Sequence, residues 1–154
     1  MNGKKRVYLA GNISSDARTY EWRLRATELL KDRYTILNPA LNKFNQELLK
    51  KAEDNPDAFF KRAIKKSQRI LIVKDHQLVA SSDIVLLNLS IVTPEKPPIG
   101  TIFEIDWTWI LRIPLIAVVA DNVYCKHPFL TSAFSATAET VEEACEIIRD
   151  FFEE

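Results

Sequence analysis

Charge of one sign is missing. Lys and Arg total 21, Asp and Glu total 21, and the formal net charge is zero. A wrapper of nucleic acid or a binder of membrane surfaces needs a basic excess, so neither class is supported. A small anionic ligand needs only one or two local cations or amides and stays open. Long apolar runs are missing as well. Ile84 to Leu87 and Ile113 to Val119, the second interrupted by Pro114, fall far short of the ~20 residues that span a bilayer. The Val-Tyr-Leu-Ala stretch after Arg6 is too short for the core of a signal peptide, which points to the cytoplasm. Cysteine is scarce: Cys125 and Cys145 carry no CxxC and no metal spacing, and are expected as reduced thiols. His76 and His127 are isolated, so no metal site is expected. Repeats, low-complexity tracts and linkers are absent. With 154 residues the chain is expected to form one domain, 1–154.

Several motifs are absent too. Without G-x-G-x-x-G or G-x-x-x-x-G-K-[ST], nicotinamide-dinucleotide and P-loop chemistry are disfavoured. Without G-x-S-x-G or a Ser/His/Asp arrangement, acyl-transfer hydrolysis is disfavoured.

What is present is an alternation of short apolar runs and helical patterns. Strands are expected at Arg6–Ala10, Tyr34–Leu37, Ile84–Leu89 and Leu115–Val119, with a last one near Phe134–Thr137. Helices are expected over Tyr20–Lys31, Ala58–Ser67, Ile70–Ala80 and Gly100–Leu111. A capping box at Thr140–Glu143 opens a closing helix through Phe152. Ile84–Leu89 is apolar on both faces, as a central parallel strand must be. Residues 40–57 are polar and rich in Lys and Glu, and 90–99 form a Pro-rich loop. The pattern predicts a three-layer α/β/α sandwich on a largely parallel sheet of about five strands.

In such sheets ligands collect beyond the carboxyl ends of the strands. The loop Gly11-Asn12-Ile13-Ser14-Ser15-Asp16 is either a plain turn or a set of amides and hydroxyls that holds a sugar or phosphate. In Gly100-Thr101-Ile102-Phe103-Glu104, Gly100 is expected to let the chain turn into a helix and Thr101 to cap it. Glu104 then falls in or near the first turn, where the macrodipole favours an ionised carboxylate. Such a carboxylate either decorates the helix or attacks an anomeric carbon. Asp75 interrupts an apolar helical face and is either solvated beside Lys74 or a proton donor of raised pKa. Asp83 reads as a cap at the strand start. Tyr8 faces the opposite side from Val7 and Leu9; it is a core residue, or its hydroxyl orients Glu104. Trp22 reads as core, and Arg23 as a partner for a carboxylate or an anion.

Four stretches in order resemble the nucleoside 2-deoxyribosyltransferase family, together with its related nucleotide N-glycosidases. They are V-Y-L-A-G-N-I from Val7, W-R at 22–23, D-H-Q-L-V-A-S-S-D-I-V-L-L-N at 75–88, and G-T-I-F-E-I-D at 100–106 followed by P-L-I-A-V. Together they span residue 7 to about 119. The resemblance implies a flavodoxin-like fold and an enzyme of nucleoside salvage that needs no cofactor. Glu104 would attack C1′ of a (deoxy)nucleoside and expel the base. The covalent glycosyl-enzyme would then pass the sugar to a second base or to water. Tyr8 would hold Glu104, and Asp75 would contact the base and move its proton. Gly11, Asn12, Ile13, Arg23, Asp83, Asn88, Gly100 and Thr101 would bind substrate. The implied partners are a small nucleoside or nucleotide and further copies of the chain in a homo-oligomer, with no nucleic-acid polymer and no membrane. Many transferases carry Asp two residues before the Gly of this motif; Pro98 stands there, so base specificity does not carry over. Ser14, Ser15 and Arg18 are either a solvated turn or a 5′-phosphate site. A nucleoside 5′-monophosphate N-glycosidase and a non-catalytic nucleotide-binding or sensor module are the alternatives.

Overall fold

The computed structural model describes residues 3–14, 16–41, 70–93 and 95–153. Every strand among the described residues joins one parallel sheet. β1 is Arg6–Gly11, β2 Thr35–Leu37, β3 Ile84–Asn88, β4 Leu115–Val118 and β5 Ala136–Ala138. Their order is β2-β1-β3-β4-β5, the flavodoxin-like arrangement. The helices are α1 (Arg18–Leu30), α2 (residues 70–80), α3 (Ile99–Leu111), the single turn α4 (Pro128–Thr131) and α5 (Val141–Phe152). The expected helix over 58–67 and the polar stretch from residue 42 lie outside the described residues.

Alternation along the strands divides the core in two. Val7, Leu9, Ile84, Leu86, Ile116 and Val118 meet Trp22, Ala26 and Leu30 of α1 and Ala144, Cys145 and Ile148 of α5. Tyr8, Ala10, Val85, Leu87, Leu115 and Ala117 face Val79 of α2, Ile105 of α3 and Leu130 of α4. Both faces of β1, β3 and β4 are covered, which is why these strands read as nearly continuous apolar runs. Burial also pushes the Cys145 thiol up to about 12, so it stays protonated in the core. Trp22 is a core residue, as its place in the amphipathic pattern implies.

The helix ends show local chemistry. At α5 the Thr140 hydroxyl accepts the Glu143 N–H at 3.1 Å, while the Glu143 carboxylate accepts the N–H of Glu139 at 2.9 Å. The capping box is therefore reciprocal through the residue before the cap. The turn α4, which apolar patterning did not reveal, begins with His127 accepting the Phe129 N–H through Nδ1, followed by Pro at the first helical position.

Asp83 requires a correction. Its carboxylate accepts the Arg6 N–H at 2.7 Å, and its own N–H donates to the Arg6 carbonyl at 2.8 Å. Both contacts tie the start of β3 to the start of β1, at the amino edge of the sheet. Asp83 thus pins the register at the end of β3 opposite the strand ends where ligands collect in such sheets. Asp83→Ala is expected to lower Tm by about 2–4 °C in a thermal melt. No helix among the described residues is long and apolar enough to cross a membrane.

Candidate active site

The strand order reverses between β1 and β3, and in such sheets ligands collect beyond the carboxyl ends of the strands at this switch point. Gly11 and Asn88 are register partners there. Gly11 has φ +153°, and a Cβ on it would lie 2.9 Å from the Asn88 carbonyl oxygen and 3.2 Å from Trp22 Cζ2. The close approach of two strand ends therefore demands glycine. Asn88 is buried, and its side-chain oxygen accepts both the N–H and the hydroxyl of Ser90, shaping the start of the Pro-rich loop.

Four ionisable side chains come together at this end from four elements: Tyr8 of β1, Arg23 of α1, Asp75 of α2 and Glu104 of α3. Glu104 is only 8% exposed. Burial pushes its carboxyl up to about 8; the nearby Asp75 raises it further, while the Tyr8 hydroxyl, Arg23 and the Gly11 amide pull it down. Asp75 is raised to about 6, chiefly by burial, against the pull of Lys74 and Arg23. Its Oδ1 is buried without a hydrogen-bond partner. The Tyr8 hydroxyl is raised well above its usual range by burial, then by Glu104 and Asp75. It lies close enough to Glu104 for its hydroxyl to pull the carboxyl down, yet it makes no well-formed hydrogen bond there. Such contacts are often loose until a substrate closes the site.

The helix itself behaves differently from expectation. α3 starts at Ile99 behind Pro98, with no side-chain cap, so Thr101 is a buried third residue of the helix and not its cap. Gly100 sits inside the first turn, and nothing lies within 4 Å of where its Cβ would be. The prolines before it make the turn, and the fold places no demand for glycine there. Glu104 falls in the second turn, beyond the reach of most of the macrodipole. Burial outweighs the dipole, and the resting carboxyl holds its proton at neutral pH instead of standing ionised.

Arg23 is completely buried. Its guanidinium donates to the carbonyl oxygens of Gly11 (2.8 Å), Asn12 (3.2 Å) and Thr19, and stacks 4.8 Å from the Trp22 ring centroid. It grips the loop from inside the fold and does not meet an anion from solvent. Asn12 and Ile13 are half-buried beside it. Farther along the loop, Arg18 is held by Asp16 through a bidentate ion pair with a shortest contact of 2.7 Å.

Tyr20 was not anticipated. Its hydroxyl is buried without a partner and is pushed up to about 12 by burial, with Arg23 opposing. The available signal was its i,i+3 spacing to Arg23 on α1. Asn122 was also missed: its amide donates to the Leu89 carbonyl at 3.0 Å and braces the end of β3 from the loop after β4. Two open grooves lie elsewhere on α3, around Arg112 and Ser135 and between Phe103 and Phe129. Glu104 lines neither, and neither gathers the titratable groups that the strand ends do. No cluster of three or more His, Cys, Asp or Glu suited to a metal occurs among the described residues.

Side-chain chemistry and strand topology together define a flavodoxin-like α/β protein with an acidic, buried switch-point site. Solved structures share this fold. A 2-deoxyribosyltransferase from Leishmania mexicana is 17% identical, covers 97% of this chain and 99% of its own, and has a TM-score of 0.62. One from Bacillus psychrosaccharolyticus is 16% identical over 90% of this chain and 88% of its own, with a TM-score of 0.59. The CMP N-glycosidase BcmB of Clostridium botulinum is 15% identical over 96% of this chain and 100% of its own, with a TM-score of 0.51. No protein-family model matches the chain, and no curated protein matches it.

Proposed function

We propose that this chain cleaves the N-glycosidic bond of a (deoxy)nucleoside, as an enzyme of the nucleoside 2-deoxyribosyltransferase kind. The carrying observation is the convergence at the strand ends of the buried Glu104 carboxyl, the half-buried Asp75 carboxyl, both with raised pKa, and a buried tyrosine hydroxyl. Near neutral pH the pair holds about one proton between two carboxyls. The reaction needs the same inventory: one carboxylate to attack and one proton for the departing base. The proton that Glu104 holds at rest first passes to Asp75; Glu104 Oε then bonds to C1′ as the C1′–N bond breaks, and the departing base takes that proton from Asp75. Water or a second base then attacks C1′ from the opposite side and frees Glu104, so two inversions give net retention. Tyr8 steadies the carboxylate as its charge develops.

The fold shared with two 2-deoxyribosyltransferases and a CMP N-glycosidase supports the reading. The Asp16–Arg18 pair favours an uncharged nucleoside over a 5′-monophosphate, since the cation of that loop is already engaged by a carboxylate. Association of copies, which the resemblance implies, would cover Phe103, Trp109 and Ile110 of α3 and Phe129 of α4, all exposed.

The test is incubation with 2′-deoxynucleosides, ribonucleosides and their 5′-monophosphates, with free base followed by chromatography. Base release from deoxynucleosides is expected to exceed that from 5′-monophosphates. With a second base added, a new nucleoside identifies a transferase, and free sugar alone identifies a hydrolase. Release from none of these substrates refutes the enzymatic reading and leaves a nucleotide-binding module.

A further inference from the structure

We propose that Arg23 is a positioning residue of this site: from inside the fold its guanidinium fixes the Gly11–Asn12 backbone beside Glu104 and supplies the counter-charge to that carboxylate during attack. The inference rests on the glycosyl-transfer reading for its catalytic consequences, but its physical part can be measured without turnover.

A buried cation is costly unless it is paired. The described hydrogen bonds of Arg23 all go to neutral carbonyls, those of Gly11, Asn12 and Thr19. A neutral amide could tie down a loop in this way, so anchoring alone does not account for burying a charge. The Nε–H is also buried and has no partner. Burial pulls the Arg23 guanidinium below its usual range, and the groups whose charge opposes this are, in order, Glu104, Tyr8, Tyr20 and Asp75. They come from α3, β1, α1 and α2; at neutral pH Asp75 is the one that stands ionised, and Glu104 joins it as a counter-charge only when it gives up its proton. Lys74 acts on Asp75 from the same helix.

Two consequences follow for the reaction. When Glu104 gives up its proton, the charge it gains lies in the field of a fixed cation, and the proton is better placed on Asp75. The same guanidinium holds the carbonyls on either side of the Gly11–Asn12 peptide, so the Gly11 amide keeps its bearing on Glu104. Arg23 does this without touching a substrate.

The test uses Arg23→Gln, which keeps amide donors and loses the charge, and Arg23→Lys, which keeps the charge and loses the fork. Infrared difference titration of the full chain, referenced to Glu104→Gln, reads the Glu104 carboxyl directly. In Arg23→Gln its titration is expected to move up by about one pH unit or more, with Arg23→Lys moving it less. In turnover, kcat should fall about 100-fold in Arg23→Gln while KM stays within a few-fold. The acidic limb of kcat/KM should shift upward by the same amount as the infrared midpoint. An unmoved Glu104 titration with a lowered Tm would show that Arg23 only anchors the loop, and would overturn the proposal. If Arg23→Gln does not fold, the comparison of Arg23→Lys with wild type decides by the same infrared midpoint. A wild-type chain that releases no base refutes the reaction, yet leaves the infrared result to decide the charge coupling.

Discussion

Glu104→Gln should abolish base release, with a loss of at least ~1000-fold in kcat, and should also make the protein more stable above neutral pH. The activity loss follows from chemistry: an amide oxygen cannot form and then release the glycosyl ester that the mechanism requires. The stability gain follows from burial. Glu104 titrates at about 8 in the folded chain, well above its ordinary 4.5. Below pH 4.5 the carboxyl is protonated in both folded and unfolded chains, and the Glu and Gln proteins should melt alike. As pH rises toward 8, the unfolded chain loses its proton while the folded chain keeps it. Stability falls through that window because the unfolded state binds fewer protons.

The Gln variant carries no such penalty, so its Tm should diverge upward from wild type between about pH 5 and pH 8 by several degrees. Asp75, raised to about 6, adds a smaller loss between its ordinary 3.8 and that value in both proteins. A catalytic carboxyl held at the expense of stability has this double signature; a surface carboxyl has neither part. Parallel melts of the two proteins across pH, beside base-release rates, check both halves. Equal Tm at pH 8 would show that Glu104 is solvated, and retained activity would remove it as nucleophile.

The fold was legible because its strands carry the message in composition alone. Val85, Leu86 and Leu87 are covered on both faces, so no polar residue could stand there, and a parallel sheet was the only economical reading. Helix starts were less legible. The beginning of α3 depends on where Pro97 and Pro98 stop the loop, and the helix opens at Ile99 with no capping side chain. A sequence rule that looks for Thr or Ser at a cap placed the start too late and so gave Glu104 too much of the dipole. The turn α4 is held by a His cap and one proline, with little apolar periodicity to betray it.

The site divided along a similar line. Residue types that announce chemistry, Glu104, Asp75 and Tyr8, could be singled out from strand ends and alternation, and the structure gathers them. What could not be read was the sign of the field around Glu104. Helix position is a local property of sequence, but desolvation depends on what β1, α1 and α2 pack around the carboxyl, and that is tertiary. Arg23 shows the same limit. A charged side chain in an amphipathic helix suggests a solvent-facing partner, whereas here its methylene stem carries the guanidinium inward to three backbone carbonyls. Asp83 sits in the same resemblance stretch as Asp75, yet the length of β3 separates it from the strand ends that hold the site.

The second large effect is expected at Gly11, and a control at Gly100 isolates its cause. An Ala methyl at Gly11 would stand 2.9 Å from a main-chain oxygen, 3.2 Å from Trp22 and 3.6 Å from the Arg23 Nη2, on a backbone at φ +153°. The carbonyl cannot swing away, because Asn88 is held in register by the β1–β3 ladder. Either β1 parts from β3 at its end or the loop is pushed off Arg23, and each outcome moves the Gly11 amide from Glu104. Gly11→Ala is therefore expected to cost ~2–4 kcal/mol of stability and about 100-fold in kcat. Gly100 sits within α3 with open space where its Cβ would go. Gly100→Ala should instead stabilise the protein by ~0.5–1 kcal/mol through helix propensity. Urea melts of the two variants read opposite signs if close packing at the strand ends is the cause. Equal, mild effects at both positions would mean that the β1 and β3 ends can spread, and that the Gly11 amide is not held against the carboxyl it is meant to serve.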